Sequence, residues 1–257
     1  MFRHAQLSLE EKVPRARARP VFPRSRFATP WRVFDLVVLP PGEAAESPDG
    51  DCEQGFLILK GEAVFEGNGD AAEVRETAAV VATGASRLRA TARSCTALSI
   101  GVCLPQGSPA GHLRIDSVDP AKLKRRPSIH GGGGEIATRH IWGPGDFLSS
   151  WTFLDHAILS PGSAVGYHYH KALEECFVIL RGRGYMTVDG DTFAVGPGSV
   201  TYQGVEKGHG IYNPGSAPLD FLRIAVAMPG EEVATIDLDD DLSARTPADQ
   251  PTKRGTQ

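Results

Sequence analysis

The stretch GYHYHKALEECFVILRGRG (166–184) combines two features that together predict a β-strand. Its apolar run, CFVIL, is short and rich in aromatic and β-branched side chains, and glycines follow it, as at a strand that ends in a turn. His168 and His170 precede the run at alternate positions, so in an extended backbone both rings project from one face. We therefore expect a strand with chemically active side chains at one end.

Short apolar runs of the same kind recur along the whole chain. Turn-forming segments such as PPG, GNGD, GPGS and NPGS separate them, and the chain contains 29 glycines and 19 prolines. This spacing is typical of an all-β sandwich or barrel. A helix is expected only in a short segment, DPAKLKRR (119–126).

A repeat relates the two halves of the chain. WRVFDLVVLPPG (31–42) aligns with WTFLDHAILSPG (151–162) at an offset of 120, and GFLILKGEAVFEGNGD (55–70) aligns with CFVILRGRGYMTVDGD (176–191) after a gap of one residue. Matching strand-turn patterns of this density predict two β modules of similar plan.

Composition restricts the functional classes. The 257 residues are 41% hydrophobic and 23% charged, as in a soluble globular protein, and the net charge of −4 disfavours a nucleic-acid partner. No apolar run reaches the roughly 20 residues that a membrane helix needs, and the N-terminal residues do not resemble a secretory signal. The four cysteines lack paired spacing. We therefore expect reduced thiols and a cytoplasmic protein without a membrane partner.

The histidines of the opening stretch suggest a metal site. Two imidazoles on one face of a strand, followed within five residues by Glu174 and Glu175, provide nitrogen and oxygen donors for one ion. A lone histidine would more often be a surface or core residue. The spacing His-x-His with a nearby glutamate favours ligation, although the residue pattern alone leaves both glutamates open.

The spacing resembles the first motif of the cupin superfamily. Gly162, His168, His170, Glu175 and Gly182 fall at its fixed positions, and this register selects Glu175 over Glu174 as the ligand. The segment DTFAVGPGSVTYQGVEKGHGIYN (191–213) resembles the second motif and ends in His209 and Asn213. It departs from the usual proline-rich run at GVEKG (204–208), which brings Glu206 and Lys207 to the rim of the pocket.

The resemblance implies a bicupin: two tandem β-barrels of the double-stranded β-helix, or jelly-roll, type. The implied ligands His168, His170, Glu175 and His209 would bind one divalent ion, Fe2+ or Mn2+ before Ni2+, Co2+ or Zn2+. The first copy has Gln54 at the position of Glu175 and no histidine between His4 and His112, so we expect it to be metal-free. The expected domains are a flexible arm (1–26), a degenerate barrel (27–105), a connection (106–135), a metal-binding barrel (136–230) and a flexible tail (231–257).

The implied function is a metal-dependent enzyme acting on a small organic molecule. An O2-using dioxygenase is favoured over a redox-neutral isomerase, cyclase or decarboxylase. Two non-enzymatic functions also stay open: a binder of a sugar-type ligand, and a storage bicupin, which would not need a complete ligand set. Candidate catalytic residues are Glu206, Tyr202 and Tyr185, although strand packing would also account for tyrosines; Glu174 and Lys207 remain further acid–base candidates. The barrel edge strands offer a route to a homodimer.

Overall fold

Antiparallel strands make up most of the chain in the computed structural model, which describes residues 3–9, 13–47 and 50–245. The strands are β1 (His4–Gln6), β2 (Arg17–Pro20), β3 (Trp31–Leu39), β4 (Ala44–Glu46), β5 (Cys52–Lys60), β6 (Glu62–Gly67), β7 (Asp70–Arg75), β8 (Ala78–Thr83), β9 (Ser86–Ala90), β10 (Cys95–Cys103), β11 (Leu113–Ser117), β12 (Lys124–Pro127), β13 (Glu135–Trp142), β14 (Trp151–Leu159), β15 (Ala164–Lys171), β16 (Leu173–Arg181), β17 (Gly184–Val188), β18 (Asp191–Val195), β19 (Ser199–Gln203), β20 (His209–Tyr212), β21 (Leu219–Ala227) and β22 (Ala234–Asp237).

The segment 119–126 does not form the expected helix. Asp119 accepts a hydrogen bond from the backbone N–H of Ala121 and starts a single 3-10 turn, Pro120–Lys122, after which the chain enters β12. A second 3-10 turn spans Arg24–Arg26. No helix in the described part of the chain is long and apolar enough to cross a membrane.

Four sheets form two barrels in tandem, as the repeat predicted. The first barrel combines a six-stranded sheet (β11-β8-β5-β10-β3-β2) with a four-stranded one (β4-β9-β6-β7). The second combines a seven-stranded sheet (β1-β19-β16-β21-β14-β13-β12) with a five-stranded one (β18-β17-β20-β15-β22). The central strands β5-β10-β3 and β16-β21-β14 occupy matching places. In the described residues β12 extends the second barrel's sheet beyond β13 and has no counterpart beyond β2.

The alternation of side chains along the strands creates three apolar cores. Each barrel has its own core, represented by Phe56 in the first barrel and Phe177 in the second. The opposite faces of the two large sheets pack against each other and bury residues of both halves, including Leu57 and Cys176. All three tryptophans (Trp31, Trp142 and Trp151) lie in this inter-barrel core.

Two buried glutamates join the barrels reciprocally. Glu174 of the second barrel accepts hydrogen bonds from the backbone N–H groups of Ala28 and Thr29, at 2.9 and 3.0 Å. Glu53 of the first barrel accepts the equivalent bonds from Leu148 and Ser149, both at 3.0 Å. The sequence repeat is therefore matched by a repeated contact across the interface. In each case a glutamate of one barrel holds the backbone segment that precedes a long strand of the other barrel, β3 or β14.

Parts of the expected flexible arm and tail are ordered by strand pairing. In the arm, β1 pairs with β19 of the second barrel, and β2 pairs with β3 of the first. In the tail, β22 pairs with β15. Their polar composition suggested flexibility, but backbone hydrogen bonds to a sheet edge do not depend on apolar side chains. The tail beyond 245 and the ends of the arm lie outside the described residues, and the domain boundaries stay a prediction.

Candidate metal centre

Four predicted ligand side chains meet inside the second barrel. His168 and His170 lie on β15, Glu175 on β16, and His209 begins β20. One ligand atom from each of the four lies within 4.8 Å of the others, and all four side chains are buried. The strand register accounts for the convergence, since His168 is paired directly with His209 and both project from the same face.

Each histidine ring is held by a hydrogen bond at Nδ1. The acceptor is the carbonyl oxygen of Gly166 for His168, at 2.8 Å, and that of Lys207 for His209, at 2.9 Å. His170 uses the hydroxyl of Thr235, at 2.9 Å. A carbonyl can only accept, so Nδ1 carries the proton in the first two rings and Nε2 presents a lone pair to the cluster. Such partners are typical of histidines that ligate metals.

The cluster brings imidazole nitrogens and carboxylate oxygens into close contact, and in the His209 contact a nitrogen lone pair faces the carboxylate. The Nε2 atom of His209 lies 3.1 Å from Oε2 of Glu175, and that of His170 lies 3.3 Å from the same oxygen. The Nε2 of His168 and Oε1 of Glu175 have no hydrogen-bond partner among the described residues. Buried acceptors facing each other are unfavourable unless a cation lies between them. Three imidazole nitrogens and a carboxylate oxygen therefore suit a divalent metal ion.

Burial and neighbouring charges set the ionisation of the cluster. Burial, and next the adjacent His209, lower the pKa of His168, so its ring is neutral. Burial acts to raise the pKa of Glu175, but contacts with His170 and His209 and the charge of Arg223 outweigh it and hold the pKa well below its usual range. A neutral imidazole and an ionised carboxylate are the forms that bind metal ions.

A chain of charged groups continues from Glu175 across the barrel wall. Arg223 on β21 is buried, and its Nε lies 3.8 Å from Oε1 of Glu175 while its Nη2 lies 2.5 Å from Oδ2 of Asp155. Asp155 also contacts Nδ1 of His140 through a short hydrogen bond. Burial acts to lower the pKa of Arg223, yet Asp155 and Glu175 raise it, so the guanidinium stays charged.

The first barrel replaces Glu175 and Arg223 of this arrangement with neutral side chains and keeps the aspartate. Gln54 occupies the position of Glu175, and its Nε2 donates to the hydroxyl of Ser99 at 2.7 Å. Ser99 takes the place of Arg223, since each is paired with the aspartate of the repeat, Asp35 in one barrel and Asp155 in the other. Pro48 and Asp49, near the positions equivalent to the first two histidines, lie outside the described residues. The described part of the first barrel thus offers no comparable ligand group.

The glycine-rich segment HGGGGE (130–135) covers the cluster. The His130 ring stacks on that of His168 with centroids 3.8 Å apart, and its Nδ1 lies 2.8 Å from Oδ1 of Asp237 on β22. Close packing requires glycine at two of the four positions, because a Cβ at Gly132 would lie 1.9 Å from the carbonyl oxygen of Ala164 and one at Gly134 would lie 2.1 Å from Oγ of Ser163. Nothing in the local sequence pattern points to His130, because a histidine beside glycines follows no strand or helix periodicity.

The three candidate catalytic residues lie in different environments. Tyr202 does not fit the predicted role, because it projects into the inter-barrel core and its hydroxyl bonds Glu174 and the carbonyl oxygen of Arg26. Tyr185 alternates with the interior Met186 and faces away from the barrel interior. Glu206 is exposed at the rim, where its backbone N–H donates to the carbonyl oxygen of His170 at 2.9 Å. Its catalytic role stays a prediction.

The two further acid–base candidates are also separated by the structure. Glu174 faces the other barrel, consistent with its rejection as a ligand, and Lys207 lies 3.3 Å from Oδ2 of Asp189 at the surface. Asp155 repeats Asp35 of the metal-free barrel, yet in the second barrel it holds Arg223 beside the cluster. The signal for Arg223 was available: an arginine at an interior position of the apolar strand LDFLRIAVA needs a buried partner.

Comparisons with known proteins support this architecture. Residues 155–225 match the family described as the cupin domain. An oxalate-binding protein of Thermotoga maritima is 26% identical over 116 residues, which is 45% of this chain and 93% of that protein. An uncharacterised protein of Methanocaldococcus jannaschii is 35% identical over 110 residues, or 43% of this chain and 85% of that protein.

Solved structures extend the likeness to both barrels. An oxalate decarboxylase of Bacillus subtilis aligns with 92% of this chain and 78% of its own length, with a TM-score of 0.61 and 14% identity. A putative glyoxylate-induced protein of Pseudomonas aeruginosa aligns with 90% of this chain and 86% of its own length, with a TM-score of 0.65 and 15% identity. At these identities the likeness concerns the fold. Together with the motif register and the tandem barrels, these similarities show that the chain belongs to the cupin superfamily.

Proposed function

We propose that this chain is a metal-dependent cupin enzyme that acts on a small organic anion at its second barrel. The main support for this proposal is a buried cluster in which acceptor atoms face one another; its members are His168, His170, Glu175 and His209. These four side chains would hold one divalent ion, with Fe2+ or Mn2+ favoured. Such an ion supplies Lewis-acid polarisation of a substrate oxygen and, as Fe2+ or Mn2+, one-electron redox chemistry.

The surrounding residues would perform the remaining tasks. The Nδ1 acceptors fix the direction of the imidazoles, and Arg223, held by Asp155, helps His170 and His209 to keep Glu175 ionised. His130 and the glycine segment exclude water from one side of the cluster. A small carboxylate suits this environment, and the name of the oxalate-binding relative agrees with it.

The reaction type divides into two candidates. The sequence interpretation favours an O2-using dioxygenase, and the likeness to proteins named for oxalate favours a redox-neutral decarboxylase. Non-catalytic binding of the same anion is a second function, favoured by the name of the Thermotoga relative. Oxygen uptake and CO2 release after anaerobic loading with Fe2+ or Mn2+ separate these three, with oxalate as the first substrate tested.

Metal analysis tests the site itself. We expect one equivalent of metal in the wild-type protein and in Gln54→Ala, and less than a tenth of that in His170→Ala, because only the second barrel carries the ligand set. Circular dichroism of each variant controls for folding. Full metal content in a folded His170→Ala protein would contradict the assignment.

A further inference from the structure

A cavity whose lining includes several charged residues lies beside Arg223, which contacts the proposed metal centre. Its volume is about 300 Å3, and its lining comes from the connection, β12, β13, β14 and β21. Arg223, which lies 3.8 Å from Glu175, forms part of its wall. Ile129 forms another part and precedes His130, whose ring stacks on His168. Arg223 and the segment around Ile129 therefore connect the wall of the cavity to the ligand cluster.

The charges of the cavity are predominantly positive, although the whole chain carries a net charge of −4. Four lysine or arginine residues, one histidine and one carboxylate line it: Lys124, Arg126, Arg139, Arg223, His140 and Asp155. Two of these residues are engaged elsewhere, since Arg223 pairs with Asp155 and the Arg139 guanidinium, on the opposite face of β13 from Thr138, lies 3.1 Å from Asp116. In the described part of the chain, no carboxylate is within ion-pair distance of the exposed Lys124 or Arg126.

The backbone register directs these two cations toward the cavity. Lys124 is paired with Thr138, and Arg126 with Ile136, whose side chain belongs to the core of the second barrel. Directly paired residues project from the same face of a sheet. Arg125 between them projects from the opposite face and pairs with Glu135 at 2.5 Å. Because β12 has no counterpart in the described residues of the metal-free barrel, this pair of cations accompanies only the metal-bearing one.

We infer that β12 is a specificity element, and that Lys124 and Arg126 bind a second anionic group of an elongated substrate whose first carboxylate faces the metal centre. This inference rests on the proposed function. A cavity of about 300 Å3 exceeds what a two-carbon dianion fills, and exposed cations at its rim suit a second carboxylate or a phosphate. The substrate class is thus a small organic dianion with separated charges.

The experiment measures binding to metal-loaded protein by calorimetry. The probes are succinate, butyrate as a monoanion of equal carbon number, and 3-phosphonopropionate, which replaces one carboxylate by a phosphonate. We expect the wild-type protein to prefer succinate over butyrate by at least tenfold. The double variant Lys124→Met/Arg126→Met should reduce that preference to about twofold, with butyrate affinity unchanged. Arg125→Met, which removes the same charge from the other face, should retain the full preference.

The outcomes separate this inference from the function on which it rests. Normal metal content with equal succinate preference in wild type and the double variant would overturn the role of β12 and leave the metal centre standing. A wild-type protein without stoichiometric metal would instead overturn the proposed function. Tighter binding of 3-phosphonopropionate than of succinate, lost in the double variant, would support the inference with phosphate as the distal group.

Discussion

Truncation of Glu174 to alanine should weaken the junction between the barrels without disturbing the metal centre. The Glu174 carboxylate accepts bonds from the Ala28 and Thr29 N–H groups, from the Thr29 hydroxyl at 2.6 Å and from Tyr202. Tyr202 retains a second acceptor, the carbonyl oxygen of Arg26. Two buried donors of Thr29 and the partly buried N–H of Ala28 then lose their partner, at about 1–3 kcal/mol for each buried donor before relaxation and water entry. We expect a net loss of about 4 kcal/mol in the free energy of unfolding, or roughly 10 °C in Tm.

Tryptophan fluorescence during urea unfolding provides the assay, because all three tryptophans lie in the inter-barrel core. Glu53→Ala removes the equivalent bonds of the other barrel and should lose a similar amount, whereas Glu174→Gln keeps one acceptor and should lose less. Metal content should stay at one equivalent in Glu174→Ala, since Glu174 faces away from the cluster. A stability loss below about 1 kcal/mol, or a loss of metal in a folded variant, would refute the reasoning.

Three further predictions concern the site and its surroundings. Thr235→Val removes the hydrogen bond to Nδ1 of His170 and should weaken metal binding about 10- to 100-fold in a competitive chelator titration; unchanged affinity would contradict a positioning role. Gly132→Ala should displace the glycine-rich segment 130–135 and lower Tm, whereas Gly133→Ala, whose Cβ meets nothing within 4 Å, should leave Tm unchanged. Equal melting temperatures of the two variants would argue against close packing at Gly132. Burial acts to raise the pKa of Asp116, but hydrogen bonds from basic side chains lower it to about 2 from 3.8. The ionised Asp116 therefore stabilises the fold above pH 3.8, and this contribution is lost as the pH falls toward 2. In urea titrations Asp116→Asn should make the free energy of unfolding less dependent on pH in this range. An unchanged pH dependence would contradict the assignment.

Local sequence patterns predicted the fold and the cluster because both depend on short-range periodicity. Alternation within β15 places His168 and His170 on one face, and the glycine register selects Glu175 over Glu174. The repeat predicts tandem barrels because each strand order is reproduced. In these cases the residues that act together lie within a strand or its neighbour.

Residues contributed by distant segments were not predictable in the same way. His130 reaches His168 only because the connection folds back over β15, and its partner Asp237 comes from the tail. Tyr202 is the reverse case, a residue that was assigned to the site but lies elsewhere. Its position within the second motif suggested that it lines the pocket, but strand alternation turns its side chain toward the other barrel. Pairing between distant segments depends on the complete tertiary structure, which a single sequence does not display.

The pairing of β1 with β19 of the second barrel affects how the protein folds during synthesis. Residues 4–6 leave the ribosome about 195 residues before their partners, Ser199–Thr201 in β19. Strand β1 must therefore remain unpaired until most of the chain has emerged. In any fragment that lacks β1, the edge of β19 is exposed. Unpaired edges of this kind recruit strands from other molecules. Co-translational aggregation of fragments or of proteins with bulky N-terminal fusions is the expected cost, and supplying residues 3–9 as a separate peptide should relieve it.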